Sequence, residues 1–338
     1  MKVWLIVAGA LVLAGILLFV GTIVAFRFDF TRFNTVQYET KIYEVSDDFS
    51  SISLSEDTAD ITLIPYEGET AKIECFLQKK MTHDVAVEDG ELKVAISDGR
   101  AWYDHITFFS VSTPSVKVYL PKTEYRAITV RTDTGDVVIP KELSAERIEI
   151  ATSTGDIACY ASATGEIALR ASTGYITVEN VAAGKLTLSA STGDITASSV
   201  TCTGDALLKV TTGKVTLSSL TCTGDVSLKV STGKAFFTDV SCRNLSSDGN
   251  TGNLSLVRVL VSERLSAERS TGDVKMEDCD FGELWIKTDT GDVEGTLRSE
   301  KIVFAHTDTG KIEVPHSTSG GRCEITTDTG DIKISIQN

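Results

Sequence analysis

The sequence predicts an all-β protein whose main body is a parallel β-solenoid of about eleven coils of 19–20 residues. An N-terminal β cap and one transmembrane helix are predicted to precede it. Three observations predict this class: a Thr-Gly pair recurs at nearly constant spacing, apolar and polar residues alternate between these pairs, and one long apolar run lies at the N-terminus. Because 42% of the 338 residues are hydrophobic, the chain can bury a core.

The first element is an apolar run over residues 3–26, which contains no charged side chain and predicts a transmembrane helix. As an α-helix this run would extend about 36 Å, enough to cross a hydrocarbon core of about 30 Å. It ends with Val24-Ala25-Phe26, which lacks the small-x-small site of a cleaved signal peptide, and this favours an uncleaved signal anchor. The sequence therefore predicts a single-pass protein of the cell membrane that contacts the lipid bilayer through residues 3–26.

Residues 27–44 are predicted to form a stalk, and the C-terminal domain is predicted to be extracellular. Lys2 is the only basic residue before the apolar run, whereas Arg27, Arg32 and Lys41 follow it. The positive-inside rule alone would favour a cytoplasmic C-terminal domain, but large domains are translocated largely regardless of such charges. The cytoplasmic orientation therefore stays open.

The region that follows, residues 45–130, lacks the repeat but alternates as strands do, for example in ELKVAIS at 91–97 and VKVYLP at 116–121. The end of a solenoid is an open strand edge that needs a cover. Residues 45–130 are therefore predicted to be an N-terminal β region that caps the first coil.

The repeat domain is predicted to cover residues 131–338. Its principal glycines each follow a threonine, and they are Gly135, Gly155, Gly174, Gly193, Gly213, Gly233, Gly252, Gly272, Gly291, Gly310 and Gly330. Alternation around each pair indicates strands with one buried face, and two strands and two turns in about 20 residues describe one coil. One inward column is predicted to contain Ile157, Ile176, Ile195, Val215, Leu254, Val274, Val293, Ile312 and Ile332.

Polar residues occupy the position two before each principal glycine, where they can hydrogen-bond the backbone of the turn. In four coils this residue is an aspartate in an Asp-Thr-Gly triplet, the sequence that also marks catalytic aspartates of aspartic proteases: Asp133, Asp289, Asp308 and Asp328. Other coils have Ser, Thr or Asn at this position. A structural role in the turn explains all of them, and no catalytic residue is predicted.

The residue after the glycine is aspartate in some coils and lysine in others. Stacked aspartates would repel one another, so Ca²⁺ binding stays an alternative, but interspersed lysines can balance the charge without a metal. Cys202, Cys222 and Cys242 lie 20 residues apart and predict a buried ladder of thiols, because a zinc site would need four ligands at turn-like spacing. No metal-binding or cofactor-binding residue is predicted. With seven cysteines, at least one thiol is free.

The lead-in strands, then VYLP, ITVRTDTGDVVIP and serial STGDI and TTGKV units, resemble the bacterial putative-adhesin family of β-strand-repeat proteins of unknown function. The likeness covers roughly residues 45–338. It implies a cell-envelope protein, often membrane-anchored and sometimes associated with envelope-stress systems, and it brings no catalytic residues.

Together these features predict a non-enzymatic, membrane-anchored cell-envelope protein that is an adhesin or surface scaffold, with a protein or a cell-wall glycan as its partner. The net charge of −15 argues against nucleic acid as a partner. Two alternatives stay open: a polysaccharide-acting β-helix enzyme, which would need loops that coils of constant length do not provide, and a regulatory partner in an envelope-stress system.

The C-terminal sequence GDIKISIQN places Ile332, Ile334 and Ile336 on the last strand of the chain. If that strand ends the stack, its edge presents unpaired N–H and C=O groups and its inward isoleucines are uncovered. The sequence therefore predicts weak end-to-end self-association, or strand addition by a partner, at this strand.

Overall fold

The structure is a computed structural model that describes residues 2–25, 37–99 and 113–337. Residues 27–36 of the predicted stalk lie outside the described residues. The last part of the predicted stalk is already β-strand, because the first strand begins at Tyr38. The proposed division at residues 45–130 and 131–338 stays a prediction.

One helix, α1 (Lys2–Ala25), precedes the strands. Among the described residues, no helix is both long enough and apolar enough to cross a membrane. This finding contradicts the transmembrane span predicted at residues 3–26, and with it the single-pass membrane localisation and the extracellular C-terminal domain.

The strands before the repeat are β1 (Tyr38–Val45), β2 (Ser51–Glu56), β3 (Asp60–Tyr66), β4 (Ala71–Gln78), β5 (Met81–Glu88), β6 (Glu91–Asp98) and β7 (Ser115–Pro121). The first half of the repeat contains β8 (Glu124–Thr134), β9 (Val137–Ile139), β10 (Ser144–Thr154), β11 (Ile157–Cys159), β12 (Ser162–Thr173), β13 (Ile176–Thr192), β14 (Ile195–Cys202), β15 (Ala206–Thr212), β16 (Val215–Cys222) and β17 (Val226–Thr232). The second half contains β18 (Ala235–Cys242), β19 (Leu245–Thr251), β20 (Leu254–Val257), β21 (Leu260–Thr271), β22 (Val274–Thr290), β23 (Val293–Leu297), β24 (Lys301–Thr309), β25 (Ile312–Glu313), β26 (Gly321–Thr329) and β27 (Ile332–Ile336).

The repeat strands form a parallel stack, as predicted. β16 pairs in parallel with β14 and β18, so Val215 lies between Ile195 and Ala235 in exact register. Corresponding residues of successive coils therefore form columns. The eleven principal glycines delimit about ten turns, so the predicted number of about eleven coils is slightly too high.

Each principal corner requires glycine for two reasons. Gly155 has a φ of 142°, which side chains rarely adopt, and a Cβ atom there would collide with the carbonyl oxygen of Gly135 in the preceding coil. A second bend within the coil was not predicted. It uses a left-handed residue other than glycine in six successive coils, with φ between 53° and 55°: Asn180, Ser199, Ser219, Asp239, Arg258 and Asp278. The coil thus has a third straight segment in addition to the two predicted strands.

The core is a set of apolar columns inside the stack. The predicted inward column is confirmed at every position but one: its residues are at most 1% exposed, whereas Ile312 is 44% exposed. The exception follows from the order of the last strands, which departs from the order of the sequence.

The last two coils are exchanged in space. β26 lies between β22 and β24, and β27 lies between β23 and β25. Because β27 has neighbours on both sides, Ile332 and Ile334 are buried. The prediction that Ile332, Ile334 and Ile336 lie on an uncovered end strand is therefore wrong. The outermost strands at this end are β24 and β25, and Ile312 has no coil above it among the described residues.

At the other end, β2 and β3 continue the stack in parallel beneath β8 and β9. β6 and β7 follow as the next parallel layer. β5 then pairs antiparallel with β6, while β4 pairs antiparallel with β7 and β1 with β4. The two sheets therefore end in antiparallel strands at the N-terminal end of the rod.

Candidate functional site

A ladder of side chains runs along the principal corner and binds each coil to the next. Oδ1 of Asp136 accepts a hydrogen bond from the backbone N–H of Asp156 at 2.8 Å, and Oδ1 of Asp156 accepts one from Tyr175 at 2.7 Å. The same contact joins Asp331 to the N–H of Lys311 at 2.8 Å. Each carboxylate thus receives a backbone donor at the corner, which gives these aspartates a structural role that needs no metal.

Lysines contribute less to this ladder than predicted. Lys214 Nζ lies 3.9 Å from Asp194 Oδ2, whereas its backbone N–H donates to Asp194 Oδ1 at 2.8 Å. The backbone donors rather than the lysine charges satisfy most of the carboxylates. In the described parts of the chain, no group of three or more His, Cys, Asp or Glu side chains could hold a metal ion.

A shorter ladder lies at the second corner. Asp205 Oδ1 accepts from the N–H of Asp225, and Asp225 Oδ1 accepts from Arg243 Nε at 2.8 Å and from Asn244 Nδ2 at 2.9 Å. The hydrogen bond from Arg243 holds the pKa of the Asp225 carboxyl below its usual range. The aspartates of this ladder also follow Thr-Gly pairs, as those of the principal corner do.

The four Asp-Thr-Gly aspartates, Asp133, Asp289, Asp308 and Asp328, are exposed along the principal corner. Their predicted bonds to the turn backbone are not among the hydrogen bonds of the described residues. Inward-facing threonines one position earlier supply such bonds instead: Thr288 donates to the carbonyl of Gly272, and Thr327 to that of Gly291.

The predicted column of Cys202, Cys222 and Cys242 is confirmed as buried thiols. The thiol of Cys222 donates to the carbonyl of Gly204 at 3.0 Å, and burial raises the pKa of Cys242 to about 12. All seven cysteines lie in the described residues, and all are free and buried. These thiols fill the interior of the stack, and the burial of Cys242 disfavours its reactive thiolate form.

A buried polar pair in the N-terminal region was not predicted. His83 Nε2 lies 2.5 Å from Glu56 Oε1, and both side chains are 0% exposed. Glu56 Oε2 and His83 Nδ1 are buried without a hydrogen-bond partner. Burial raises the pKa of the Glu56 carboxyl. Glu56 stands in register with Thr132, so a carboxyl group begins a column that continues with threonine.

Arg269 is a second buried charge that was not predicted, at 3% exposure. Its guanidinium donates to the carbonyl and the hydroxyl of Ser247 at 2.9 and 2.7 Å, and to the carbonyl of Glu268 at 2.7 Å. Gly249 leaves room for it, because a Cβ atom there would lie 2.9 Å from Arg269 Nη1. Burial lowers the pKa of Arg269 to about 10, so it stays charged at neutral pH.

The outer surface has a shallow groove of about 400 Å³ across β20, β22, β23 and β27. Charged, hydroxyl and aliphatic side chains line it, and the polar ones include Lys275, Glu294, Thr296 and Lys333. Lys275 Nζ lies 3.5 Å from Glu294 Oε2. Gly295 occupies the floor, where other coils have an inward side chain. The groove thus alternates in charge along the rod and has no aromatic residue.

Residues 49–235 and 209–338 match the model of the family described as Toastrack DUF4097. The chain belongs to this family. The match includes the strands before the repeat as well as the repeat itself. Membership in the Toastrack family agrees with the predicted likeness to a family of unknown function, and it assigns no active-site residues.

Several solved structures resemble this Toastrack protein at low sequence identity. A putative adhesin from Parabacteroides distasonis is 12% identical with a TM-score of 0.47, over 89% of this chain and 98% of that chain. A putative adhesin from Bacteroides fragilis is 14% identical with a TM-score of 0.33, over 88% and 97% of the two chains. A putative lipid binding protein from Parabacteroides distasonis is 12% identical with a TM-score of 0.38, over 89% and 98%. No curated protein matches this chain.

Proposed function

We propose that this Toastrack solenoid is a non-catalytic scaffold or adhesin that binds a protein partner on its outer surface. The observation that carries the proposal is the near-constant coil length, with successive principal glycines 19 or 20 residues apart. Coils of constant length provide no long loops, and enzymes of the β-helix type build their clefts from such loops. The aspartates that could serve as acids or bases are instead exposed or bound to backbone donors at the corners.

The groove that contains Lys275, Glu294 and Lys333 is the surface that we propose for the partner. Its charges are of both signs, and its other lining groups are hydroxyls, backbone and aliphatic side chains, among them Met276. Proteins that bind sugar rings commonly use aromatic side chains as platforms, and this groove has none. Alternating charges suit a protein surface of complementary charge, because such patterns set orientation and exclude wrong partners.

A site-specific photo-crosslinker tests this proposal in cells that produce the full chain. The crosslinker is placed at Thr296 in the groove or, as the matched control, at Ser227 on another side of the rod. We expect a discrete protein adduct at Thr296 and none at Ser227. Equal adducts at both sites, or an adduct with polysaccharide only, would contradict a protein partner in the groove.

Charge reversal provides the second arm of the test. Lys275→Glu together with Lys333→Glu should remove the adduct, whereas Lys209→Glu together with Lys229→Glu, on exposed positions outside the groove, should leave it unchanged. Purified chain should release neither peptides from denatured protein nor reducing ends from polysaccharides. Turnover in either assay would contradict the non-catalytic role.

A further inference from the structure

The C-terminal end of the rod presents two open strand edges at once. β24 pairs with β26, and β25 pairs with β27, and no described residue pairs with the other edge of either strand. The backbone N–H of Gly330 donates to the carbonyl of Thr309, and that of Ile332 to the carbonyl of Lys311. Because bonding direction alternates along a strand, the N–H and C=O groups of Phe304 and His306 point away from β26.

A slice of the apolar core is open between these two edges. Ile312 is 44% exposed, whereas Ile332 and Val293, which occupy the same column in the next two coils, are 0% exposed. Val303, Ala305 and Val314 pack against the core but are only half-buried. On the outer side of the same edge strand, Phe304 is 54% exposed. This end therefore has apolar side chains where the interior of the stack would continue.

The opposite end of the rod is closed by polar contacts. Lys41 Nζ on β1 donates to the carbonyl of Met81 on β5 at 3.0 Å, and the N–H of His83 donates to the hydroxyl of Tyr43 at 3.2 Å. These side chains of one sheet occupy the free backbone groups of the other. Charged residues such as Glu39 also line β1, which discourages pairing with another strand.

We propose that the C-terminal end binds the same end of a second copy of this chain, in a closed two-fold dimer. β24 and β25 belong to opposite sides of the core. A single added strand would therefore pair with one of them and leave the apolar side chains between them exposed to solvent. A partner that covers this end must therefore bring two strands, separated by the same distance as β24 and β25. The N-terminal end of another copy is already closed by the contacts between its own β1 and β5. The C-terminal end of that copy is therefore the surface that can bind here. A two-fold axis normal to the sheets then continues both sheets antiparallel across the contact.

The sequence of β24, KIVFAHTDT, suits this antiparallel contact. If Ala305 faces the partner's Ala305, then Val303 lies opposite the partner's Thr307, Phe304 opposite the partner's His306, and Ile302 opposite the partner's Asp308. Inward residues then meet inward residues, and no two like charges face each other. Lys301, the charge that could protect this edge, is buried and bound to Asp280 at 2.9 Å.

The expected interface is modest. The nine residues of β24 extend about 30 Å, and two sheets about 10 Å apart with their outer side chains give a width of about 20 Å. Each copy would then bury roughly 600 Å², or roughly 1,200 Å² in total, which is the lower end for specific interfaces. We therefore expect a dimer whose population depends on concentration.

Sedimentation of the full chain over a hundredfold range of concentration tests the proposal, with detergent present to cover the exposed apolar side chains of α1. As concentration rises, the mass of the wild-type particle should increase from that of one copy to that of two copies. His306→Pro removes a backbone N–H that points toward the partner, and Ile312→Asp places a charge among the apolar side chains at the exposed end of the core. Both variants should abolish the concentration-dependent gain.

Matched controls separate this contact from other effects. His306→Ala keeps the backbone N–H, and Leu207→Asp places the same charge at an outer position that is also 44% exposed. Leu207→Asp should associate as the wild type does, His306→Ala should retain the concentration-dependent gain that His306→Pro loses, and all four variants should keep the wild-type β-sheet circular dichroism. A wild-type chain whose mass does not change with concentration would overturn the proposal, as would a gain that persists in His306→Pro and Ile312→Asp. Growth beyond one added copy would overturn the two-fold arrangement.

Discussion

The two ends of this solenoid are built on the same columns but end them differently. At the N-terminal end, antiparallel strands carry Lys41 and Tyr43 across to the backbone of β5, and the inward residues beneath are buried. At the C-terminal end, Ile312 completes a column with almost half of its surface exposed. An inward position in a repeat is therefore a core position only when another coil covers it. Spatial order, rather than sequence order, decides which residues these are.

Two isoleucine substitutions in one column test the order of the last coils through the free energy of unfolding. Ile332 and Ile312 occupy one column in adjacent coils, at 0% and 44% exposure. Ile332→Asp should lower the free energy of unfolding by about 4 kcal/mol, because a buried unpaired charge would face apolar neighbours, whereas Ile312→Asp should lower it by less than about 1 kcal/mol. Urea unfolding of both variants measures the difference. The reverse ranking would show that the coils follow sequence order.

The next effect concerns the buried pair at the closed end. His83→Ala should lower the free energy of unfolding by about 3 kcal/mol, because it leaves the Glu56 carboxyl buried with neither of its oxygens bonded. Thermal unfolding monitored by circular dichroism measures this. The matched control is His306→Ala, since His306 is exposed and its loss should change stability by less than about 0.5 kcal/mol. Equal losses of stability in the two variants would show that the Glu56 carboxyl is accessible to water in the folded chain.

The same pair should give the closed end a pH dependence that the open end lacks. Burial raises the pKa of Glu56 in the folded state, so the folded chain retains a proton that the unfolded chain has already lost. Its contribution to stability is complete below the ordinary carboxyl pKa and decreases as pH rises toward the raised value, by at most about 1.4 kcal/mol per pH unit. Glu56→Gln should therefore gain stability relative to the wild type as pH rises from about 4.5. A difference that is independent of pH would contradict a raised pKa.

The corner ladder should contribute more where coils lie on both sides of a corner than at the open end of the rod. Asp136→Ala removes the acceptor for the N–H of Asp156 and should cost about 1 kcal/mol, whereas Asp136→Asn keeps an oxygen and should cost less. Asp331→Ala removes the acceptor for Lys311, which belongs to the outermost coil, and should cost less than Asp136→Ala. Urea unfolding ranks the three variants. If Asp136→Asn lowers stability as much as Asp136→Ala does, the negative charge of Asp136 matters more than its hydrogen bond to Asp156.

The smallest effect is expected at the Asp-Thr-Gly triplets. Asp133→Ser and Asp308→Ser introduce the residue that other coils already have, at exposed positions, and should change the free energy of unfolding by less than about 0.5 kcal/mol. Differential scanning calorimetry measures this. Cleavage of peptides at acid pH by the wild type but not by Asp308→Ser would show that these aspartates are catalytic.

The repeat was predictable from sequence because its signals are local. A glycine at a constant interval, with apolar residues at alternate positions, determines both the parallel stack and the buried column through Val215 and Cys222. The left-handed residues Ser199 and Ser219 were not predictable, because serine carries no sign of a positive φ. The membrane span predicted at residues 3–26 was wrong, because no helix among the described residues is both long and apolar enough to cross a membrane.

The unpredicted features all depend on which coil lies next to which. Arg269 is buried because Gly249, in the neighbouring coil, leaves space for it. Glu56 meets His83 because β5 closes the N-terminal end after a reversal of the chain. A repeat period specifies the shape of one coil but not the order of coils, and the sequences around Gly310 and Gly330 fit the same position equally well.

The exchange of the last two coils has a consequence for how the chain folds. β24 is made before β26, yet β26 must occupy the place beside β22. In that place Cys323 contacts Leu284, and Val303, which stands in register with Cys323, could pair there while residues 321–336 are still absent. Two strands therefore compete for one site during synthesis, and the first arrival must be displaced. Folding of the final turns is then a late and concerted step, in contrast to the stepwise growth expected of a simple repeat.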